Sequence, residues 1–345
     1  MFNKKKFLHC ISFIVLLLML YFFYKEFRNN WNIFHKYYFN INLIYIIIAF
    51  FSIFFAYIID TFILHICINK HIARRRIPFL TNIAIFNTSN ILKYIPGRIW
   101  GYMAQVLFFS KKRISKSEVL YVNFICFIGN FFSSILLGIL CVIYYFPILE
   151  YKIKLILLIF LILDLTFIFW NTTLINILIR FINFHFNMEI QILHTSKFLL
   201  IGIQLVYLIH WYFVGLGGYL LAQGIGLEIS FTNFYAILAS MSLSWVIGYL
   251  SVITPGGLGV REGVMYVILN QVTNVQTALL MPIATRLLYL LVELALGFIG
   301  FLLAVKFRIF SAISDINPTE SDAAGASTCW GRPAPASETK LRRSH

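Results

Sequence analysis

Apolar runs long enough to cross a lipid bilayer recur along this chain, and they restrict its architecture before any other feature is weighed. Leu43 to Ile68 spans 26 residues, enough to cross a hydrocarbon core of roughly 30 Å with some tilt at about 1.5 Å per residue. Phe7 to Tyr24, Val119 to Phe146, Lys154 to Trp170, Phe198 to Ala222 and Ala278 to Val305 read the same way. Exposed backbone polar groups cost several kcal/mol each in hydrocarbon, so these runs predict helices whose hydrogen bonds close within the segment. The fold class is therefore all-α: a polytopic bundle with about six full spans.

Composition agrees, with 60% hydrophobic and only 12% charged residues, far from the average soluble domain. The net charge of +15 does not indicate nucleic acid. Its basic residues fall in short runs beside apolar segments: Lys4 to Lys6, Lys70 to Arg76, Lys111 to Lys116, and Lys306 with Arg308. Such runs mark cytoplasmic ends. They predict an inner-membrane, multi-pass protein with both termini cytoplasmic. No small-residue cleavage site follows Phe7 to Tyr24, so that segment reads as a retained span rather than a signal peptide. Five cysteines without paired spacing predict neither a disulfide framework nor a metal site, and no cofactor motif is present.

Two stretches break the pattern. Phe79 to Phe109 is apolar but interrupted by Asn87, Asn90, Lys93, Pro96, Gly97, Arg98 and Gly101, with basic runs at both ends. A single crossing would violate the positive-inside rule, whereas a cytoplasmic re-entrant pair broken at Pro96-Gly97 obeys it. Phe231 to Leu269 is broken at Pro255-Gly256-Gly257. It must enter and leave on the outer side if Lys306 is cytoplasmic. Pro96 and Pro255 lie 159 residues apart, and two interrupted segments in corresponding positions predict an inverted repeat with a midplane site. Asn171 to Lys197, with Arg180, His185, Glu189 and His194, reads as a cytoplasmic loop carrying a surface-lying helix. Past Ile316 the composition turns to Ala, Ser, Gly, Pro and Thr. Residues 1–310 are read as the transmembrane domain and 311–345 as a disordered or non-native polar tail.

Charges within spans are functional candidates by default. A helix starting after Pro-Gly points free N–H groups and a positive dipole end into the break, which suits phosphate. Arg98 and Arg261 would add guanidinium forks. The predicted substrate-binding set is Lys93, Pro96, Gly97, Arg98, Pro255, Gly256, Gly257, Arg261 and Glu262. The bland reading has Arg261 paired with Glu262 or Glu293 only to hold the bundle together. Arg286 and Glu293, seven apart, share one helix face. Asp60 is either a proton or cation relay or an acceptor for Tyr57 or a neighbouring hydroxyl; Asp164 has weaker claims. His65 and His210 read as packed, hydrogen-bonded imidazoles, and Trp31, Trp100, Trp170, Trp211 and Tyr24 as interfacial anchors. Nucleotide, nucleophile-elbow and zinc signatures are missing, so no enzyme activity is expected.

Asn90-Ile91-Leu92-Lys93-Tyr94-Ile95-Pro96-Gly97-Arg98-Ile99-Trp100-Gly101 and Thr254-Pro255-Gly256-Gly257-Leu258-Gly259-Val260-Arg261-Glu262-Gly263 resemble the two hallmark stretches of the lysylphosphatidylglycerol synthase transmembrane-region family. The resemblance covers roughly Phe7 to Phe307. It implies a flippase-like bundle with two re-entrant helix pairs, a membrane lipid or lipid-linked glycan as substrate, and a homodimer. By that likeness the residues of the two breaks line the lipid path. The soluble aminoacyl-transfer domain of the bifunctional members has no counterpart here, which argues against lysine transfer. The alternative is a non-transporting partner of a glycosyltransferase or other envelope-biosynthesis enzyme.

Overall fold

The computed structural model describes residues 40–71, 76–92, 100–112, 114–145, 151–186, 190, 195–227, 229–251, 257 and 259–309, with Lys25 and Arg28. The first apolar run, the tips of both breaks and the tail past residue 310 lie outside them. Every regular element among the described residues is helical. In chain order these are α1 (Leu43–His71), α2 (Phe79–Ile91), α3 (Trp100–Ser110), α4 (Lys116–Tyr145), α5 (Tyr151–Phe186) and α6 (Lys197–Gly224). A single turn at Phe231–Asn233 then leads into α7 (Phe234–Leu250), followed by α8 (Val260–Leu269) and α9 (Val275–Lys306). Among the described residues, five segments are long and apolar enough to cross a membrane: α1 as far as Lys70, α4, α6, α9 and Phe231–Leu250.

Local chemistry sets the helix starts. Ser115 and Glu118 form a reciprocal capping box at α4, the Ser115 N–H donating to Glu118 Oε2 at 2.7 Å and the Glu118 N–H to Ser115 Oγ at 3.2 Å. Ser196 caps α6 and Asn274 caps α9, each side-chain oxygen accepting from the N–H three residues on.

One expectation fails at α5. The predicted span at Lys154 to Trp170 runs on without interruption to Phe186, so residues 171–186, read as part of a loop with a surface helix, belong to the same 36-residue helix, about 54 Å long. No proline or glycine occurs between 151 and 186, and nothing else ends a helix merely because its residues become polar. The turn comes later, where Asn183 clasps the Ile190 backbone, accepting from its N–H at 3.1 Å and donating to its carbonyl at 2.9 Å.

The two pairs of short helices open at opposite ends of the bundle. At one end Asn69 of α1 clasps the Ile77 backbone just before α2, and Lys111 past α3 donates to the Ile309 carbonyl past α9 at 2.9 Å. At the other end Asn233 joins α7 to Tyr145 of α4 at 2.9 Å and to the Val272 carbonyl between α8 and α9 at 3.3 Å. Although Phe231–Leu250 is long enough to cross, the chain turns back through α8 to the end it came from.

An inverted repeat is written in the helix boundaries. α2 ends at Ile91 and α7 at Leu250; α4 begins at Lys116 and α9 at Val275. Each pair is offset by the same 159 residues as Pro96 and Pro255, and so are the caps Ser115 and Asn274. Packing follows the same rule, for α2 lies on α9 as α7 lies on α4, while α1 and α6 pack on each other across the pseudo-axis. Gly138 of α4 lies against Leu243 and Ser242 of α7, and its counterpart Gly297 of α9 lies against Ile91 of α2. Small residues at these contacts let helices approach closely, which is how bundles cohere where lipid tails are as apolar as leucine.

Candidate functional site

The second break places its charges by local geometry. Gly257 and Gly259 adopt φ of +70° and +82°, the left-handed region that glycine enters without steric cost. At Gly257 a Cβ would sit 2.7 Å from the Gly248 carbonyl oxygen of α7, so the returning chain runs directly over the end of that helix. α8 then starts at Val260 with its N–H groups facing the break. Glu262 reaches back, and its Oε2 accepts from the Gly259 N–H at 2.6 Å. Its other oxygen, Oε1, accepts from Nε of Arg286 on α9. One carboxylate thus caps α8 and binds it to α9.

Arg261 takes a different path. Its side chain lies across Gly248, where a Cβ would collide with its Cγ. Arg286, Tyr57, Tyr289 and Glu262 all stand within electrostatic reach of its guanidinium. Arg261 Nε and Arg286 Nη2 are buried and make no hydrogen bond among the described residues. Two cationic forks therefore converge with donors to spare, at a helix N-terminus that itself favours anions.

A polar belt continues from there. Arg286, Tyr289 and Glu293 project from one face of α9 at spacings of three and four. Tyr57 of α1 donates its hydroxyl to Glu293, and its ring meets Tyr289 edge-on at 6.3 Å. One turn further along α1, Asp60 Oδ1 lies 3.3 Å from His210 Nδ1, which donates to the Ala56 carbonyl at 2.8 Å. Ala56 and His210 sit near the midpoints of α1 and α6, and Tyr289 near the midpoint of α9. The belt thus crosses the bundle at mid-depth.

Several expectations change. Glu262 pairs with Arg286 rather than with Arg261, and Glu293 accepts from the Tyr57 hydroxyl. Asp60 Oδ1 stands beside His210 Nδ1 across the α1–α6 contact. His65 is packed and hydrogen-bonded, its Nδ1 lying 2.6 Å from the Asn82 amide and 3.0 Å from that of Asn69. Trp211 is no interfacial anchor: it is buried at mid-helix, donating to Asn130 at 2.9 Å. Asp164 is buried on α5 with neither oxygen bonded among the described residues, and stands apart from the belt. Lys93, Pro96, Gly97, Arg98, Pro255 and Gly256 lie outside the described residues. Sequence reasoning passed over Tyr289 and Gly248. Tyr289 carried a signal, being three residues from Arg286 and four from Glu293.

No group of three or more His, Cys, Asp or Glu among the described residues could hold a metal ion. A search of curated proteins finds no match to the chain. The family model described as the lysylphosphatidylglycerol synthase TM region matches residues 10–297, taking in both breaks and the whole polar belt. By that match the chain belongs to the lysylphosphatidylglycerol synthase TM region family, as a multi-pass membrane protein of lipid metabolism or transport.

Proposed function

We propose that this protein moves an anionic phospholipid or lipid-linked sugar between the leaflets of the bacterial cytoplasmic membrane, without altering it chemically. The observation that carries this reading is the pair of guanidinium groups of Arg261 and Arg286 at a broken helix end, each with one buried nitrogen, Nε and Nη2, that has no acceptor among the described residues. Buried arginine N–H groups without acceptors are costly, and a phosphate oxygen is the acceptor their planar forks match best. A phosphate entering there would also meet the first N–H groups of α8. The inverted repeat supplies the motion: rocking of the two short-helix pairs, as re-entrant gates, would open the belt to each leaflet in turn. Arg98, at the other break, is the expected partner of Arg261 from the opposite side.

A protein that moves lipid without making it depends on an envelope-biosynthesis enzyme that builds the head group, and we expect it to act beside one, as a homodimer. The test is reconstitution into vesicles of phosphatidylethanolamine and phosphatidylglycerol with a trace of fluorescent phosphatidylglycerol. Wild-type protein should make the inner-leaflet label accessible to a membrane-impermeant quencher, and Arg261→Ala should lose at least tenfold in rate while remaining folded. Equal rates for wild type and Arg261→Ala would overturn the assignment.

A further inference from the structure

We propose that the α2–α3 hairpin is a gate that takes up water between its helices when it opens, and that the structure holds it shut. The inference deepens the transport reading above by naming which of the two short-helix pairs opens to water, and its test reads the hairpin itself rather than lipid movement. α2 is polar for a helix packed inside the bundle, carrying Thr81, Asn82, Asn87, Thr88, Ser89 and Asn90 among 13 residues. Four oxygens of the hairpin are sealed from water and have no hydrogen-bond partner among the described residues: Asn82 Oδ1, Thr88 Oγ1 and Ser89 Oγ on α2, and Gln105 Oε1 on α3. Asn82 and Ser89 are 0% exposed and Gln105 is 2% exposed. The Asn82 amide nitrogen is engaged by His65 Nδ1 of α1, 2.6 Å away. Ser89 lies where α3 meets α2, since a Cβ at Gly101 would sit 3.1 Å from the Ser89 carbonyl oxygen, and Gln105 follows Gly101 by one turn on the same face of α3. Thr88 turns its hydroxyl toward Gly300 of α9.

Nearly every buried polar group in a folded protein is paired, so four orphans in one hairpin need a cause. Helical conformation is not the cause. Ser240, Ser242 and Ser244 of α7 each donate to the carbonyl three residues back, at 2.8, 3.1 and 3.0 Å, a bond that Thr88 and Ser89 forgo. Symmetry is not the cause either. Shifted by the 159-residue offset, the four residues land on Met241, Ile247, Gly248 and Val264, whose side chains hold no nitrogen or oxygen. The unpartnered acceptors therefore belong to one hairpin alone. Arg261 Nε of α8, also unpartnered, is a donor, assigned above to the phosphate.

A buried acceptor without a donor carries the full penalty of its lost hydration. Each of the four thus raises the energy of the shut hairpin, and each regains hydrogen bonds when the hairpin loosens and water follows. Opening is therefore easier for this pair than for α7–α8, where parting the helices would wet apolar side chains. Water enters from the end of the bundle where Asn69 clasps Ile77 and Lys111 reaches Ile309, the end at which this hairpin opens.

Hydrogen–deuterium exchange of the full-length protein in lipid nanodiscs, resolved into peptides by mass spectrometry, tests the gate. Wild-type amides of α2 and α3 should exchange about tenfold faster than those of α7 and α8, because exchange follows the population of the open form. Ser89→Ala and Gln105→Met each remove an orphan oxygen with little change of shape. Each should slow exchange in α2 and α3 by about tenfold and leave α7 and α8 as in wild type, whereas a merely structural role would leave exchange unchanged or speed it. Equal exchange in the two wild-type hairpins, faster exchange in α7 and α8, or folded variants whose α2 and α3 exchange as fast as wild type or faster would each overturn the proposal. If a variant fails to fold, as judged by gel filtration, the wild-type comparison decides alone. The expected exchange in a protein that moves no labelled lipid would uphold the gate and overturn the transport reading instead.

Discussion

Glu262 performs two tasks with two oxygens, and substitution can separate them. Glu262→Gln keeps one oxygen for the Gly259 N–H but removes the charge that faces Arg286. Breaking a fully buried ion pair from one side costs about 3–5 kcal/mol, because the remaining charge is stranded. Here the Arg286 side chain is 31% exposed against 12% for Glu262, so water recovers part of that loss and the cost should be about 2 kcal/mol. Glu262→Ala removes the cap as well, adding about 1 kcal/mol, for a total near 3 kcal/mol. Arg286→Met relieves the stranded cation, so the Glu262→Gln/Arg286→Met double variant should cost about 2 kcal/mol less than the sum of the two singles. Reversible unfolding in mixed detergent micelles, followed by tryptophan fluorescence, measures each corner of the cycle. A 2 kcal/mol loss is about a 30-fold change in the unfolding constant, well within reach. Glu262→Gln indistinguishable from wild type, or strictly additive singles, would refute the idea that this carboxylate ties α8 to α9.

Gly248→Ala should push the Arg261 side chain from its place without changing its charge; lipid movement should fall as in Arg261→Ala, and unfolding should reveal overpacking of about 1–3 kcal/mol. Asn69→Ala strands the N–H and carbonyl of Ile77 and should cost about 2 kcal/mol in the same assay, with Asn69→Asp recovering only the bond from the N–H. Gly138→Leu and Gly297→Leu, as counterparts in the inverted repeat, should destabilise by similar amounts, about 1–3 kcal/mol each, with a large difference between them counting against equivalence.

The helices and their two breaks were legible because lipid makes the code strict: apolar length gives spans, and Pro-Gly with charge marks where a helix cannot continue. The repeat was legible only as two prolines, yet the 159-residue offset reappears at Ile91 and Leu250, at Lys116 and Val275, and at Gly138 and Gly297. α5 was misread because Arg180 and His185 suggest a loop, although polar side chains do not by themselves end a helix. The pairing of charges was less legible, since Glu262 and Arg286 are 24 residues apart and meet only after α8 folds back on α9. One part of it could have been foreseen. Adjacent residues on a helix do not face each other, so Arg261 and Glu262 were never well placed to pair.

The scaffold is symmetric and its chemistry is not. Shifting Arg261, Arg286 and Glu293 back by the 159-residue offset lands on Tyr102, Phe127 and Ser134. Tyr102 hydrogen-bonds Tyr249, Phe127 packs at a tilt on the same Tyr249 at a centroid distance of 4.4 Å, and Ser134 donates to the Ser242 carbonyl at 2.9 Å. One half of the bundle thus holds charges where the other holds aromatic rings and a hydroxyl. On the proposed rocking motion, the two states, mirror images in backbone, would differ in the groups they desolvate, so their energies would be unequal and one would predominate at rest. Unequal populations would change how fast lipid is taken from either side but not its final distribution, because a carrier without an energy source only equilibrates.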